Sequence, residues 1–118
     1  MKSVFVLDDD PDQVDVLVQA LAGKQMQVRG FSNPLRALAA LVNEPADLFI
    51  ADLSLAWIDG DDVIHYALRR CPELRVFLVS GHVRGAEVAQ AAGVRFFLKP
   101  LDIRLLKNAV EQALVEGS

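Results

Sequence analysis

The sequence predicts an α/β fold: a doubly wound, five-stranded parallel sheet with five helices, built as one domain over residues 1–118. Three observations predict it. Short apolar runs alternate with helical patterns from one end of the chain to the other, the arrangement that gives a parallel sheet with helices on its faces. The runs are continuous rather than interrupted by polar residues, as strands covered on both faces require. Each pair of runs is separated by enough chain for a helix, so the strands join through right-handed crossovers.

Val4-Phe5-Val6-Leu7 is the first strand, and it stops at Asp8, Asp9 and Asp10. The helix after it has a marked start, with Asp10 as N-cap, Pro11 at the first helical position and Gln13 completing a capping box. Val14, Leu17, Val18 and Leu21 fall on one buried stripe, and Gly23 ends the helix. Gln25 to Phe31 reads as the second strand. Asn33-Pro34 opens a second helix whose apolar positions are Leu35, Leu38, Leu41 and Val42, and Pro45 breaks it. Leu48-Phe49-Ile50-Ala51 is the third strand, ending on Asp52. Asp59-Gly60 suits a hairpin turn, but the residues after it have a helical pattern, with Ile64, Ala67, Leu68 and Cys71 sharing a face before Pro72. Val76-Phe77-Leu78-Val79 forms the fourth strand and ends at Ser80. An alanine-rich helix covers roughly Val83 to Ala92, with Gly93 at its C-terminus. Phe96-Phe97-Leu98 is the fifth strand, running into Lys99-Pro100. The last helix starts at Asp102 and buries Leu106, Ala109, Val110, Ala113 and Leu114.

Apolar residues make up 53% of the chain and charged residues 24%, the balance of a soluble globular domain. A net charge of −4 speaks against a nucleic-acid surface, which needs a basic face. The single cysteine, Cys71, cannot close an internal disulfide, so a reducing cytoplasm is the expected location. The longest apolar runs fall short of a membrane span, and the N-terminus lacks the apolar core of a signal peptide.

The polar residues that matter gather at one kind of place, the C-terminal ends of strands. The first strand delivers Asp8 and Asp9, the third Asp52, the fourth Ser80 and the fifth Lys99. In an open doubly wound sheet those ends share one side of the molecule, where ligands bind. Carboxylates crowded there repel one another, and a hard divalent cation such as magnesium relieves the conflict while neutralising phosphate oxygens. A carboxylate can attack a phosphoryl group and hold it as an acyl phosphate. Lys99 then supplies a second positive charge and Ser80 a hydrogen bond.

Taken together, these segments resemble the response-regulator receiver family over nearly the whole chain. The acid pair is matched by Asp8-Asp9 and the phosphoacceptor segment by Asp52 through Asp59-Gly60. Val79-Ser80-Gly81-His82 matches the switch hydroxyl, and Phe97-Leu98-Lys99-Pro100 the final motif. The resemblance implies a flavodoxin-like strand order of 2-1-3-4-5 and phosphorylation at Asp52 with Mg2+. It further implies that Asp9 and Asp52 ligate the metal directly, that the Ser54 carbonyl is a third protein ligand and that Asp8 acts through water. Ser80 and Phe96 become the switch pair, the hydroxyl moving toward the phosphoryl group and the ring turning inward, and Lys99-Pro100 a cis peptide. The implied phosphodonor is a histidine kinase or a phosphotransfer protein, with transfer and autodephosphorylation self-catalysed rather than enzymatic in the ordinary sense. A homodimer through the fourth helix, fifth strand and fifth helix is the implied assembly.

Some residues depart from that pattern. Leu55-Ala56 stands where the family usually carries Met-Pro, Phe96 replaces the commoner tyrosine, and Ser80 and Lys99 lie closer in sequence than usual, so the fourth helix should lack about one turn. Asp10 is expected to cap a helix, Asp59, Asp61 and Asp62 to answer a helix dipole, and Trp57 to be at least half-exposed. His82 and Ser54 are placed to govern water access to an acyl phosphate, with an exposed loop histidine as the plainer reading of the first.

Competing readings are a receiver-shaped interaction module that is never phosphorylated and a haloacid-dehalogenase-like phosphatase using Asp8. The second needs a further acid pair after the lysine, where only Asp102 and Glu111 remain. A flavin-mononucleotide binder shares the sheet order, but no Ser/Thr/Gly-rich phosphate loop comes after the first strand.

Overall fold

Successive side chains of a strand point to opposite faces, so a continuous apolar run makes both faces of a sheet sticky. The structure, a computed structural model that describes residues 1–23, 25–52 and 60–116, shows how that is resolved. Strands β1 (Lys2–Leu7), β2 (Met26–Phe31), β3 (Leu48–Asp52), β4 (Arg75–Ser80) and β5 (Arg95–Leu98) alternate with helices α1 (Pro11–Leu21), α2 (Pro34–Asn43), α3 (Gly60–Arg70), α4 (Arg84–Ala92) and α5 (Ile103–Glu116). The strands form one parallel sheet in the order β2-β1-β3-β4-β5. That is the doubly wound, flavodoxin-like topology expected.

Two cores sit on the two faces. Phe5, Leu7, Phe49, Ala51 and Leu78 point to one side and pack with Ala37, Leu38, Leu41, Val63, Ile64, Ala67 and Ala89, from α2, α3 and α4. Their strand neighbours Val4, Val6, Leu48, Ile50, Phe77 and Val79 point to the other and pack with Leu17, Leu21, Leu106, Ala109, Val110, Ala113 and Leu114, from α1 and α5. The last helix buries the five residues expected of it. Among the described residues no helix is long and apolar enough to cross a membrane.

Local signals behave mostly as the residue types dictate. Asp10 caps α1, its Oδ1 accepting from the Asp12 N–H at 3.0 Å. The capping box does not form. The Asp10 N–H donates to Asp8 Oδ1 at 3.0 Å, so the carboxylate at the strand end takes the donor that Gln13 was expected to satisfy. The N-terminus of α2 is capped by Asn33, whose Oδ1 accepts from Leu35 and Arg36 at 2.9 and 3.3 Å. Asn33→Ala is expected to cost about 1 kcal/mol, read as a lower urea midpoint at unchanged slope; an unmoved midpoint would show the cap idle.

The buried face of α2 differs from the expected one. Pro34, Ala37, Leu38 and Leu41 face inward, while Leu35 and Val42 are 55% and 48% exposed. Ala37, with no exposed surface, shares the inward face with Leu38 and Leu41, and that face leaves Leu35 and Val42 on the outer side. Cys71, just past α3, is half-buried, with Sγ 3.5 Å from the Leu41 carbonyl. Helix α4 is nine residues long, and Gly93 closes it at a left-handed φ of 73°.

Candidate functional site

Strand register brings the polar residues level. Leu7 pairs with Ala51, so the next residue of each strand, Asp8 and Asp52, emerges side by side. Asp52 in turn pairs with Val79, and Ser80 with Leu98, which leaves Lys99 one residue beyond the end of β5. The Lys99 N–H still donates to the Ser80 carbonyl at 2.8 Å, holding its side chain over the strand ends. The Lys99-Pro100 peptide is cis.

The side chains converge accordingly. Carboxylate oxygens of Asp8, Asp9 and Asp52 all lie within 4.8 Å of one another. Asp8 and Asp52 are buried, each 3% exposed, and Asp9 is exposed. Lys99 Nζ bridges the buried pair, donating to Asp52 Oδ2 at 2.8 Å and to Asp8 Oδ2 at 3.3 Å. These groups line a cavity of about 800 Å³ whose walls include Gln13 and Val16 of α1 and Pro100, Leu101 and Ile103 after β5. The sequence marks Gln13 and Pro100 for local structure only, and nothing in it singles out Val16, Leu101 or Ile103 as walls. Their only signal is position, on the open side of α1 and directly after Lys99.

Burial pulls the Lys99 ammonium toward its neutral form, but the hydrogen bond and charge of Asp52, then the charge and hydrogen bond of Asp8, outweigh it. Its pKa stands above the ordinary lysine value. The stability contributed by this arrangement is therefore whole below the lysine range of the unfolded chain and fades as pH rises through the raised folded value. The melting-temperature advantage of the wild type over Lys99→Met should hold below the ordinary lysine value of about 10.4 and shrink as pH rises from there through the raised folded value. A constant difference across that range would sink the assignment.

Ser80 and Phe96 sit beside this cluster rather than in it. Ser80 is fully buried, at 0% exposure, and is not among the described residues lining the cavity. Its Oγ accepts from the His82 N–H at 3.0 Å, while the His82 side chain is exposed. Phe96 is half-buried on the α3–α4 side of the sheet. Ser54, Leu55-Ala56, Trp57 and Asp59 lie outside the described residues, and so do the expectations attached to them.

The donor set suits a small hard cation. Three carboxylates, two of them withdrawn from water, offer only oxygen ligands at close range, the chemistry magnesium prefers. One lysine is too little positive charge for the three, so a divalent ion adds compensation that the cluster lacks.

A family model described as the response regulator receiver domain matches residues 4–111. The response regulator protein PilR of Pseudomonas aeruginosa is 31% identical over 116 residues, covering 96% of this chain and 26% of PilR. The DNA-binding transcriptional regulator NtrC of Salmonella typhimurium is 32% identical over 114 residues, covering 94% of this chain and 24% of NtrC. The chain thus spans about a quarter of the length of these curated relatives. Among solved structures, a CheY-like receiver domain protein from Methanospirillum hungatei superposes with a TM-score of 0.91 over 99% of this chain and 96% of that one, at 23% identity, a likeness of fold. NtrX from Brucella abortus superposes with a TM-score of 0.87 at 28% identity, over 98% of this chain and 27% of that one.

Proposed function

The chain belongs to the response-regulator receiver family, and on that premise we propose that it accepts a phosphoryl group on Asp52 in a magnesium-dependent reaction and changes conformation through Ser80 and Phe96. One observation carries this reading: a buried carboxylate at the end of β3 meets two further carboxylates and the Lys99 ammonium at the mouth of one cavity.

An Asp52 oxygen attacks the phosphorus of the donor, the bond from phosphorus to the donor breaks, and the leaving group departs with that electron pair. The product is an acyl phosphate on Asp52. Asp9 and Asp52 would hold magnesium directly, Asp8 through water, with Ser54 contributing its carbonyl. A magnesium ion there supplies positive charge against the equatorial phosphoryl oxygens. Lys99 exchanges its bond to the Asp52 carboxylate for one to the new phosphoryl group. Ser80, buried and tied to the His82 N–H, reaches that group only if the loop after β4 rearranges. Contacts made in one state alone are what let phosphorylation shift a two-state equilibrium.

The phosphodonor fitting this chemistry is a histidine kinase or a phosphotransfer protein, and with it a cytoplasmic location. Exposed Leu98 on β5 and Leu105 on α5 support pairing with a second copy through α4, β5 and α5.

The test is intact mass after incubation with acetyl phosphate, with and without magnesium. A gain of one phosphoryl group only with magnesium is expected. A chain that stays unmodified in both favours the interaction module that is never phosphorylated.

A further inference from the structure

Gly85 is the second residue of α4 and is buried. Its backbone gives no reason for glycine, since Gly93 alone among the described residues takes a positive φ. Space gives one. A Cβ built on Gly85 would lie 2.6 Å from Phe96 Cε1, 3.2 Å from Phe96 Cζ and 3.0 Å from Ser80 Cβ. The Phe96 ring therefore already occupies the place where a side chain on α4 would stand, in line with its packing against the core that contains Ala89 of the same helix. The backbone links the same residues: Ser80 Oγ accepts from the His82 N–H at 3.0 Å, and the His82 carbonyl accepts from the Gly85 N–H at 3.0 Å.

We propose that Gly85 is a positioning residue of the switch: by leaving its Cβ position to the Phe96 ring, it couples the first turn of α4 to Ser80. When Ser80 Oγ leaves the His82 N–H for a phosphoryl group, the loop bond to Gly85 and the ring seated on it carry the displacement into α4. The ring already meets the Cβ site of Gly85 in this structure, so strand end and helix are in contact without a further inward turn of the ring. This inference rests on the reading that Asp52 is the phosphoacceptor and Ser80 its partner.

Amide NMR spectra of the chain before and after loading with magnesium and beryllofluoride, a phosphoryl analogue, test it in wild type, Gly85→Ala and Phe96→Ala. In the wild type, loading should shift the signals of Ser80 and of residues 84–88. In Gly85→Ala the Ser80 signal should still respond while residues 84–88 lose their response, and in Phe96→Ala the α4 response should likewise be lost. Melting temperatures supply a second readout. Gly85→Ala should lower the melting temperature in the wild type and lower it clearly less in the Phe96→Ala background, where the ring is gone and only the 3.0 Å approach to Ser80 Cβ opposes the better helix propensity of alanine. If Gly85→Ala alone does not fold, the double variant should fold, and Phe96→Ala carries the coupling test. An intact α4 response in Gly85→Ala, or an equal loss of melting temperature in both backgrounds, overturns the role of Gly85 alone. A wild type that shows no response to loading overturns the phosphoacceptor reading beneath it.

Discussion

Asp52→Asn is expected to take up no phosphoryl group from acetyl phosphate and magnesium, a fall of ~10³-fold or more in labelling rate. The carboxamide has the shape of the carboxylate but no anionic oxygen to attack phosphorus. Its oxygen can still accept from Lys99 Nζ, which stands 2.8 Å from Asp52 Oδ2, so the fold should survive and the loss should report chemistry. Intact mass reads the result directly. A label that persists in Asp52→Asn but disappears in Asp8→Asn would move the nucleophile to the end of β1 and favour the phosphatase-like reading.

The second large effect is expected at Lys99. Lys99→Ala removes the cation that bridges Asp8 and Asp52 and leaves two carboxylates, each 3% exposed, facing each other. Breaking a buried ion pair costs about 3–5 kcal/mol. With the lysine side chain 31% exposed, a loss of about 1–3 kcal/mol is expected, or roughly 5–15 °C in melting temperature. Magnesium should restore more stability to this variant than to the wild type, since the ion replaces the missing charge. Phosphorylation should stay ~10²–10³-fold slower even at saturating magnesium, because the lysine's contact with the transferring group is not replaced. Melting curves with and without magnesium check the first claim and labelling time courses the second. Equal magnesium stabilisation in both proteins would show that Lys99 does not share the metal's electrostatic place.

Much of this site was legible in the sequence because it depends on where strands stop. Val4 to Leu7 and Leu48 to Ala51 are apolar to their last residue, so Asp8 and Asp52 had to emerge together at strand ends. What escaped depends on spatial neighbours that periodicity does not encode. Leu35 and Val42 fit a helical stripe, yet Ala37 shares the inward face of α2 with Leu38 and Leu41. Gln13 had the right spacing for a capping box, but Asp8 lies closer to the donor. Gly85 lies in an alanine-rich helix, and no sequence pattern marks it. Its reason is a phenylalanine further along the chain, Phe96, and only three-dimensional proximity reveals it.

The pairing of Leu7 with Ala51 carries a consequence for which variants of this chain can exist at all. A slip of one residue between β1 and β3 would part Asp8 from Asp52, and it would also turn the phenylalanine of the strand that moved, Phe5 or Phe49, from one core to the other. A chain that folds cooperatively with its acids misaligned is thus closed off, and correct folding acts as proofreading for the reactive geometry. Substitutions in the two cores should therefore act as a gate on abundance, while the molecules that do fold keep their chemistry.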